Sequence, residues 1–315
     1  MPLAYLLLFL ALVGCQTIPN EPSTVATDEP FVLILGTAQD GGYPQAGCQR
    51  TCCQRVWQGE TAKATVVSLA IVSPTTRQWW LFEATPDLKE QLHFFRQQTE
   101  GQYNYLPDGI FLTHAHVGHY AGLIHLGREI MGADRVPVYV LPRMASFLET
   151  NGPWDQLIQL ENIQIKRLRA DSAVRLNEDW RVTAYQVPHR DEYSETAGFV
   201  MARSDQRYLF LPDIDKWEKW DQSINNMVRS VDVALLDATF FADGELPNRP
   251  MSEIPHPFVM ETLARFAAEP DSIKKRIEFI HFNHTNPVLQ ESSPAVEQIR
   301  EAGFNVAQQG ENHEL

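Results

Sequence analysis

The chain has 315 residues, 44% of them hydrophobic, and a formal net charge of −14. That is enough apolar material for one large domain with its own core, and no repeat or low-complexity tract argues for a solenoid or a disordered chain. The acidic balance argues against a polyanion-binding surface, because affinity for phosphate backbones comes from clustered Lys and Arg that release counterions; nucleic acid is not an expected partner.

Residues 1–15 read as a lipoprotein signal peptide. Residues 6–13 are an apolar run too short to span a bilayer comfortably, and it ends in Leu12-Val13-Gly14-Cys15, which resembles the lipobox of bacterial lipoproteins. Cys15 would then carry the lipid. Gln16 after it resembles lipoproteins sent to the outer membrane, which places the protein in the cell envelope facing the periplasm. No Lys or Arg precedes the apolar run, so a plain signal peptide or an uncleaved anchor stays open. Residues 16–30 carry Pro19, Pro22 and Pro30 without apolar periodicity and read as a tether. Residues 31–315 form the folded domain.

That domain alternates strand-like and helix-like segments. Strands are expected at 31–35, 65–72, 78–82, 110–113, 136–140, 163–168, 182–187, 198–203, 207–211, 233–236 and 277–280. Helices are expected at 86–97, 120–131, 257–268 and 294–302, several opened by proline at an early position. The class is mixed α/β, with two packed sheets and outer helices.

Between the first two strands lies a Gly/Pro-flanked loop holding Asp40, Cys48, Cys52 and Cys53. With Cys15 lipidated, three cysteines remain, an odd number that does not make a simple disulfide set. Three thiolates want a fourth ligand to close a tetrahedral zinc site, and a histidine on nearby rigid structure would serve; one disulfide plus a free thiol is the alternative.

The most informative stretch is His114-Ala115-His116-Val117-Gly118-His119, directly after an apolar run. Its histidines sit where a strand ends and a helix begins, so their nitrogens can converge on one or two ions. Further ligand types stand at strand ends: His189, Asp213 and His281. Each alone is how any strand leaves a core, but together with the triple histidine they form a set. His256, just before a helix, could donate a proton to a leaving group or simply pack at the helix entry. His125 is an isolated helical histidine with no clear role.

This order of ligands resembles the metallo-β-lactamase superfamily over essentially the whole mature chain. The resemblance implies a four-layered αββα sandwich with its metal site at one edge of the two sheets. It groups His114, His116 and His189 on one metal and His119 and His281 on a second, with Asp213 bridging. Within the superfamily the chain is similar to the coenzyme PQQ synthesis protein B group, through Leu35-Gly36-Thr37-Ala38-Gln39-Asp40-Gly41-Gly42, Leu235-Leu236-Asp237-Ala238-Thr239 and His281-Phe282-Asn283-His284. That group usually lacks the first two histidines of the triple motif, which this chain keeps. It is also similar to the cyclic-phosphate phosphodiesterases of phosphonate degradation, which pair an early cysteine cluster with a histidine three residues after the last active-site histidine. By that resemblance His284 is the fourth ligand of a structural zinc on Cys48, Cys52 and Cys53, although the cysteine spacing differs.

The superfamily usually has aspartate where this chain has Gly118. Three outcomes are open: one active-site metal, a weakened second metal on His119, Asp213 and His281, or a carboxylate from elsewhere. Asp40 is the first candidate replacement and Asp87 the second, each with a turn or helix-cap role as the plain alternative. Bound zinc lowers the pKa of water to about 7 and polarises the electrophile, so zinc-bound hydroxide would attack a small-molecule ester, lactone or phosphodiester without a protein nucleophile. A hydrolase is therefore expected, with Asp213 and His256 as its acid–base groups. A non-haem iron oxidoreductase on His119, His281 and Asp213 is the alternative, and a non-catalytic binding protein with a decayed site the third reading.

Overall fold

The computed structural model describes residues 27–246, 249–290 and 293–314. The signal peptide, Cys15 and most of the tether fall outside these residues. Among the described residues no helix is long and apolar enough to cross a membrane.

Fourteen strands follow in chain order: β1 (Phe31–Gly36), β2 (Ser68–Ser73), β3 (Gln78–Phe82), β4 (Gly109–Phe111), β5 (Val136–Val140), β6 (Ile163–Arg167), β7 (Ala173–Arg175), β8 (Arg181–Val187), β9 (Thr196–Arg203), β10 (Gln206–Leu211), β11 (Val233–Asp237), β12 (Ile277–Ile280), β13 (Asn305–Val306) and β14 (Asn312–Glu314). They build two seven-stranded sheets, ordered β14-β1-β2-β3-β4-β5-β6 and β13-β12-β11-β10-β9-β8-β7. In each, one half is antiparallel and the other parallel, the parallel strands being β3 to β6 and β10 to β13.

The apolar pattern explains the layering. Strands buried on both faces read as continuous apolar runs, and β1, β2 and β12 are buried at every position. Their inner faces meet in a core containing Ile34, Ile71, Phe82, Phe111, Phe199, Phe210 and Ile280. Phe82 and Phe111 stack with ring centroids 4.9 Å apart, and Phe199 meets Phe82 edge-on. The helices Leu88–Gln98, Pro142–Thr150 and Trp154–Gln159 cover the outer face of the first sheet, and Ile224–Arg229, Val259–Arg265 and Pro294–Glu301 cover the second. The result is the four-layered αββα sandwich.

Two local expectations need correction. Residues 120–131 are not one helix: a single α turn, Val117–Tyr120, passes into a 3-10 segment, Ala121–Leu126. Gly122 docks its backbone on the loop after β3, donating to Ala84 O at 2.8 Å, and a Cβ there would come within 2.0 Å of Thr85 O. That docking holds the backbone against a neighbouring loop, and the apolar periodicity was satisfied by irregular backbone. The cysteine loop likewise contains a helix, Thr51–Trp57, which carries Cys52 and Cys53.

Candidate metal centre

Strands of both sheets deliver their following residues to one edge of the sandwich, the place where open α/β sheets gather ligands. Thr113 and His114 follow β4, His189 follows β8, Asp213 follows β10, Asp237 closes β11 and His281 follows β12. Asp40 arrives from the loop after β1, and His119 from the α turn after the triple motif.

One group holds His114, His116, His189 and Asp213, with one donor atom of each within 4.8 Å of the others. His114 Nε2 lies 2.7 Å from His116 Nδ1 and 3.3 Å from Asp213 Oδ2, and His189 Nε2 lies 3.2 Å from Asp213 Oδ1. A second group holds Asp40, His119 and His281. His119 Nε2 is 3.1 Å from Asp40 Oδ1 and 3.6 Å from Asp213 Oδ2. Asp213 Oδ2 therefore stands between the two groups, in bridging position.

Asp40 removes the difficulty posed by Gly118. A Cβ added at Gly118 would stand 2.2 Å from Asp40 Oδ1, 2.5 Å from its Cα and 2.8 Å from its Cβ. The carboxylate missing at position 118 is thus supplied by another loop, in space that only glycine leaves free. The donor group of His119 and His281 thereby contains a carboxylate despite Gly118. Asp87 does not take part: its carboxylate accepts from Val66 N at 2.9 Å.

The far nitrogens are held by the fold. His114 Nδ1 meets Thr113 Oγ1 at 2.9 Å, His281 Nδ1 meets Thr239 Oγ1 at 2.9 Å, and His189 Nδ1 meets Asp215 Oδ1 at 3.3 Å. His119 Nδ1 faces the fully buried Glu83 at 3.5 Å. Such outer partners fix ring orientation and aim Nε2 inward, as in metal-ligating histidines. His116 is turned the other way, with Nδ1 inward and Nε2 3.4 Å from Glu192 at the rim.

The donor atoms fit a metal. Asp40 Oδ1, His119 Nε2, His189 Nε2, Asp213 Oδ1 and His281 Nε2 are buried with no hydrogen-bond partner. Buried polar atoms are rarely left so, and these five lie in the two donor groups, which calls for electrophilic ligands there. Ligands of a tetrahedral ion at 2.0–2.1 Å stand about 3.3 Å from each other, the scale of the separations here. For His114, Asp213 and Asp40 the protonation state also suits ligation. Burial drives His114 well below the ordinary imidazole value, with His119 adding to it. Burial would raise Asp213 and Asp40, but the facing imidazoles hold both well below the usual carboxylate range.

His256 joins the site, which its packing reading did not require. It is buried, with Nδ1 2.8 Å from Asp237 Oδ2 and 3.2 Å from Asp213 Oδ1. Burial opposes its charge, yet Asp237 and then Asp213 raise its pKa above the ordinary value, while His256 holds Asp237 at about 2 against that residue's own burial. Asp237, Glu83, Thr113 and Thr239 were not singled out in the sequence, although Asp237 ends an apolar run as Asp213 follows one. His125 belongs to none of the donor groups among the described residues.

Cys48 and Cys53 Sγ, from the loop after β1, gather with His284 within 4.8 Å, and Cys52 Sγ lies 3.9 Å from Cys48 Sγ. Burial pushes the Cys53 thiol up to about 12, although a backbone N–H from Gln45 opposes it. Cys48, Cys53 and His284 thus supply three of the four ligands of a closed zinc site, with Cys52 beside them but outside the group.

Residues 78–282 match the model of the beta-lactamase superfamily domain, well over half of the chain. The chain belongs to this superfamily. Among curated superfamily proteins it is 26% identical over 300 residues to coenzyme PQQ synthesis protein B of Methylorubrum populi, covering 89% of this chain and 98% of that one. It is 24% identical to the protein of the same name from Xanthomonas campestris over 301 residues, covering 89% and 98%. Zinc-bound PqqB from Methylobacterium extorquens superposes with a TM-score of 0.75 at 24% identity, covering 90% of this chain and all of that one. A diphosphatase from the PhnP family gives 0.60 at 20% identity, covering 91% and 97%. Both structures share the superfamily fold.

Proposed function

We propose that this superfamily member is a metal-dependent hydrolase of anionic small-molecule esters, phosphodiesters first among them, with zinc in its active site. The observation that carries the reading is the pairing of a ligand cluster with a proton-bearing His256–Asp237 dyad at its edge. His114, His116 and His189 would hold one metal and Asp40, His119 and His281 the other, with Asp213 shared. When bound, such ions lower the pKa of water and polarise the phosphoryl or acyl oxygen.

The chain's own groups do the rest. Asp237 accepts from His256 Nδ1–H, which fixes the ring and leaves Nε2–H to protonate the departing oxygen. Asp213, ionised and buried, carries negative charge that favours imidazolium in His256 against that ring's burial. His256 also lines a cavity of about 340 Å³ with Gln39, Arg190, Lys219, Phe240 and Arg249. Asp215 and Glu253 share this lining and Lys219 is paired to Asp215 at 2.8 Å, so Arg190 and Arg249 are the cations this cavity offers an anionic group carrying an organic substituent.

The test is turnover of bis(p-nitrophenyl) phosphate by zinc-loaded protein against a neutral p-nitrophenyl ester. Phosphodiester hydrolysis, with a higher KM in Arg249→Ala, supports the reading; hydrolysis of the neutral ester alone overturns it.

A second reading has its own observation. Asp40, His119 and His281 have the two-histidine, one-carboxylate composition of non-haem iron sites, so an iron oxidoreductase is the competing assignment. Elemental analysis decides between them. We also place the protein on the envelope through lipid at Cys15; Cys15→Ser should release it from membranes, and unchanged fractionation would contradict the anchor.

A further inference from the structure

We propose that Glu278, Glu311 and His313 form a further divalent-metal site that fastens the C-terminal strand to the second sheet. Glu278 stands on β12, while His313 stands on β14, which pairs with β1 at the edge of the first sheet through Val32. The three side chains bring one donor atom each within 4.8 Å of the others. Glu278 Oε2 and His313 Nε2 are 3.3 Å apart, both buried, and neither has a hydrogen-bond partner. Glu278 is only 7% exposed.

The two atoms are at ion-pair distance but lack hydrogen-bond geometry, and a third donor stands within reach of both, the arrangement of a ligand position. The 3.3 Å separation equals the ligand-to-ligand edge of a tetrahedral ion with bonds of 2.0–2.1 Å, about 3.3 Å. Charge points the same way. The charged groups facing His313 are Glu278 and Glu311, and those facing Glu311 are Glu278 and His313. A protonated imidazole would leave one of the two carboxylate charges uncompensated in a largely buried place, which is costly. A divalent cation over a neutral imidazole cancels both. Glu311 is itself positioned, accepting from Gln308 N at 3.1 Å, and Tyr208 closes one side with its ring centroid 6.1 Å from that of His313. One histidine with two carboxylates suits zinc, with water completing the tetrahedron.

The consequence is mechanical. β14 is three residues long and holds the outer edge of β1, so a metal shared with β12 would tie the end of the chain across both sheets.

The experiment uses the full chain with zinc chloride as the probe. Zinc per chain is measured after dialysis for wild type, Glu278→Gln and His313→Gln, and amide exchange of residues 312–314 is followed with and without zinc. Each variant should bind one zinc fewer than wild type while keeping its other zincs, and zinc should slow exchange in 312–314 only in the wild type. Equal zinc counts in wild type and a folded variant, or exchange in 312–314 of the wild type that ignores zinc, would show an ordinary ion pair and overturn the proposal. Retained circular dichroism separates metal loss from misfolding, and if Glu278→Gln does not fold, the wild-type exchange measurement still decides.

Discussion

Replacing Gly118 by alanine is the sharpest perturbation of the candidate centre. Glycine to alanine inside an ordinary helical turn stabilises by roughly 1 kcal/mol, because alanine loses less backbone entropy. Here the added Cβ would stand 2.5 Å from the Asp40 Cα and 2.2 Å from its Oδ1. The nearest obstacle includes backbone, so the clash is not relieved by rotating a side chain. Overpacking of this kind costs about 1–3 kcal/mol, so the net effect is destabilising. Set against the roughly 1 kcal/mol gain, the net loss is up to about 2 kcal/mol, and at about 2–4 °C per kcal/mol the metal-free protein should melt lower by up to about 8 °C. Metal content should fall as well, because Asp40 is pushed off its position beside His119. Scanning calorimetry with elemental analysis measures both. The double variant Gly118→Asp, Asp40→Gly returns a carboxylate to the same space from the other loop and should recover more metal than either single variant. A Gly118→Ala protein with unchanged or higher Tm and full metal content would refute the assignment of Asp40.

Removal of the acid should cost catalysis without cost in metal. His256→Ala should lower kcat about 10²–10⁴-fold. Because His256 acts protonated and its pKa is raised, wild-type activity should fall as pH rises through that pKa; the alkaline limb should vanish in His256→Ala and move to lower pH in Asp237→Asn. Asp237, held at about 2 in the folded protein against an ordinary value of about 3.9, contributes stability that is full above the unfolded value and lost as pH falls toward 2. Urea unfolding of metal-free protein should show that loss between about pH 4 and 2, and a flatter profile for Asp237→Asn. Cys53→Ser and His284→Ala should each remove one zinc and lower Tm together, since structural zinc contributes directly to folding; an unchanged Tm with unchanged zinc would remove this zinc site.

Much of this architecture was legible because it rests on period and position. The β1, β2, β3, β5, β10 and β12 segments announce themselves as apolar runs, and ligand types directly after such runs mark the sheet edge. Three kinds of feature were hidden. Short edge strands such as Ala173–Arg175, Asn305–Val306 and Asn312–Glu314 have too few residues for a pattern and exist only through pairing. The helices Pro142–Thr150 and Ile224–Arg229 were likewise passed over between clearer strands. Outer groups such as Glu83 and Thr239 matter only through which histidine they face, a tertiary fact. Asp40 lies between the two cases: its type and its glycine-rich loop were visible, whereas its place in the space left by Gly118 required two distant segments to meet.

The central claim is hydrolysis at a site whose metal ligands include Asp40. Its most direct test is to assay zinc-loaded wild type and Asp40→Ala side by side on bis(p-nitrophenyl) phosphate, in air and under nitrogen, with metal content measured on the same samples. The account predicts hydrolysis by wild type at the same rate with and without oxygen, and loss of both activity and about one active-site metal in Asp40→Ala. A wild-type protein that holds iron, consumes oxygen and leaves the phosphodiester intact would contradict it.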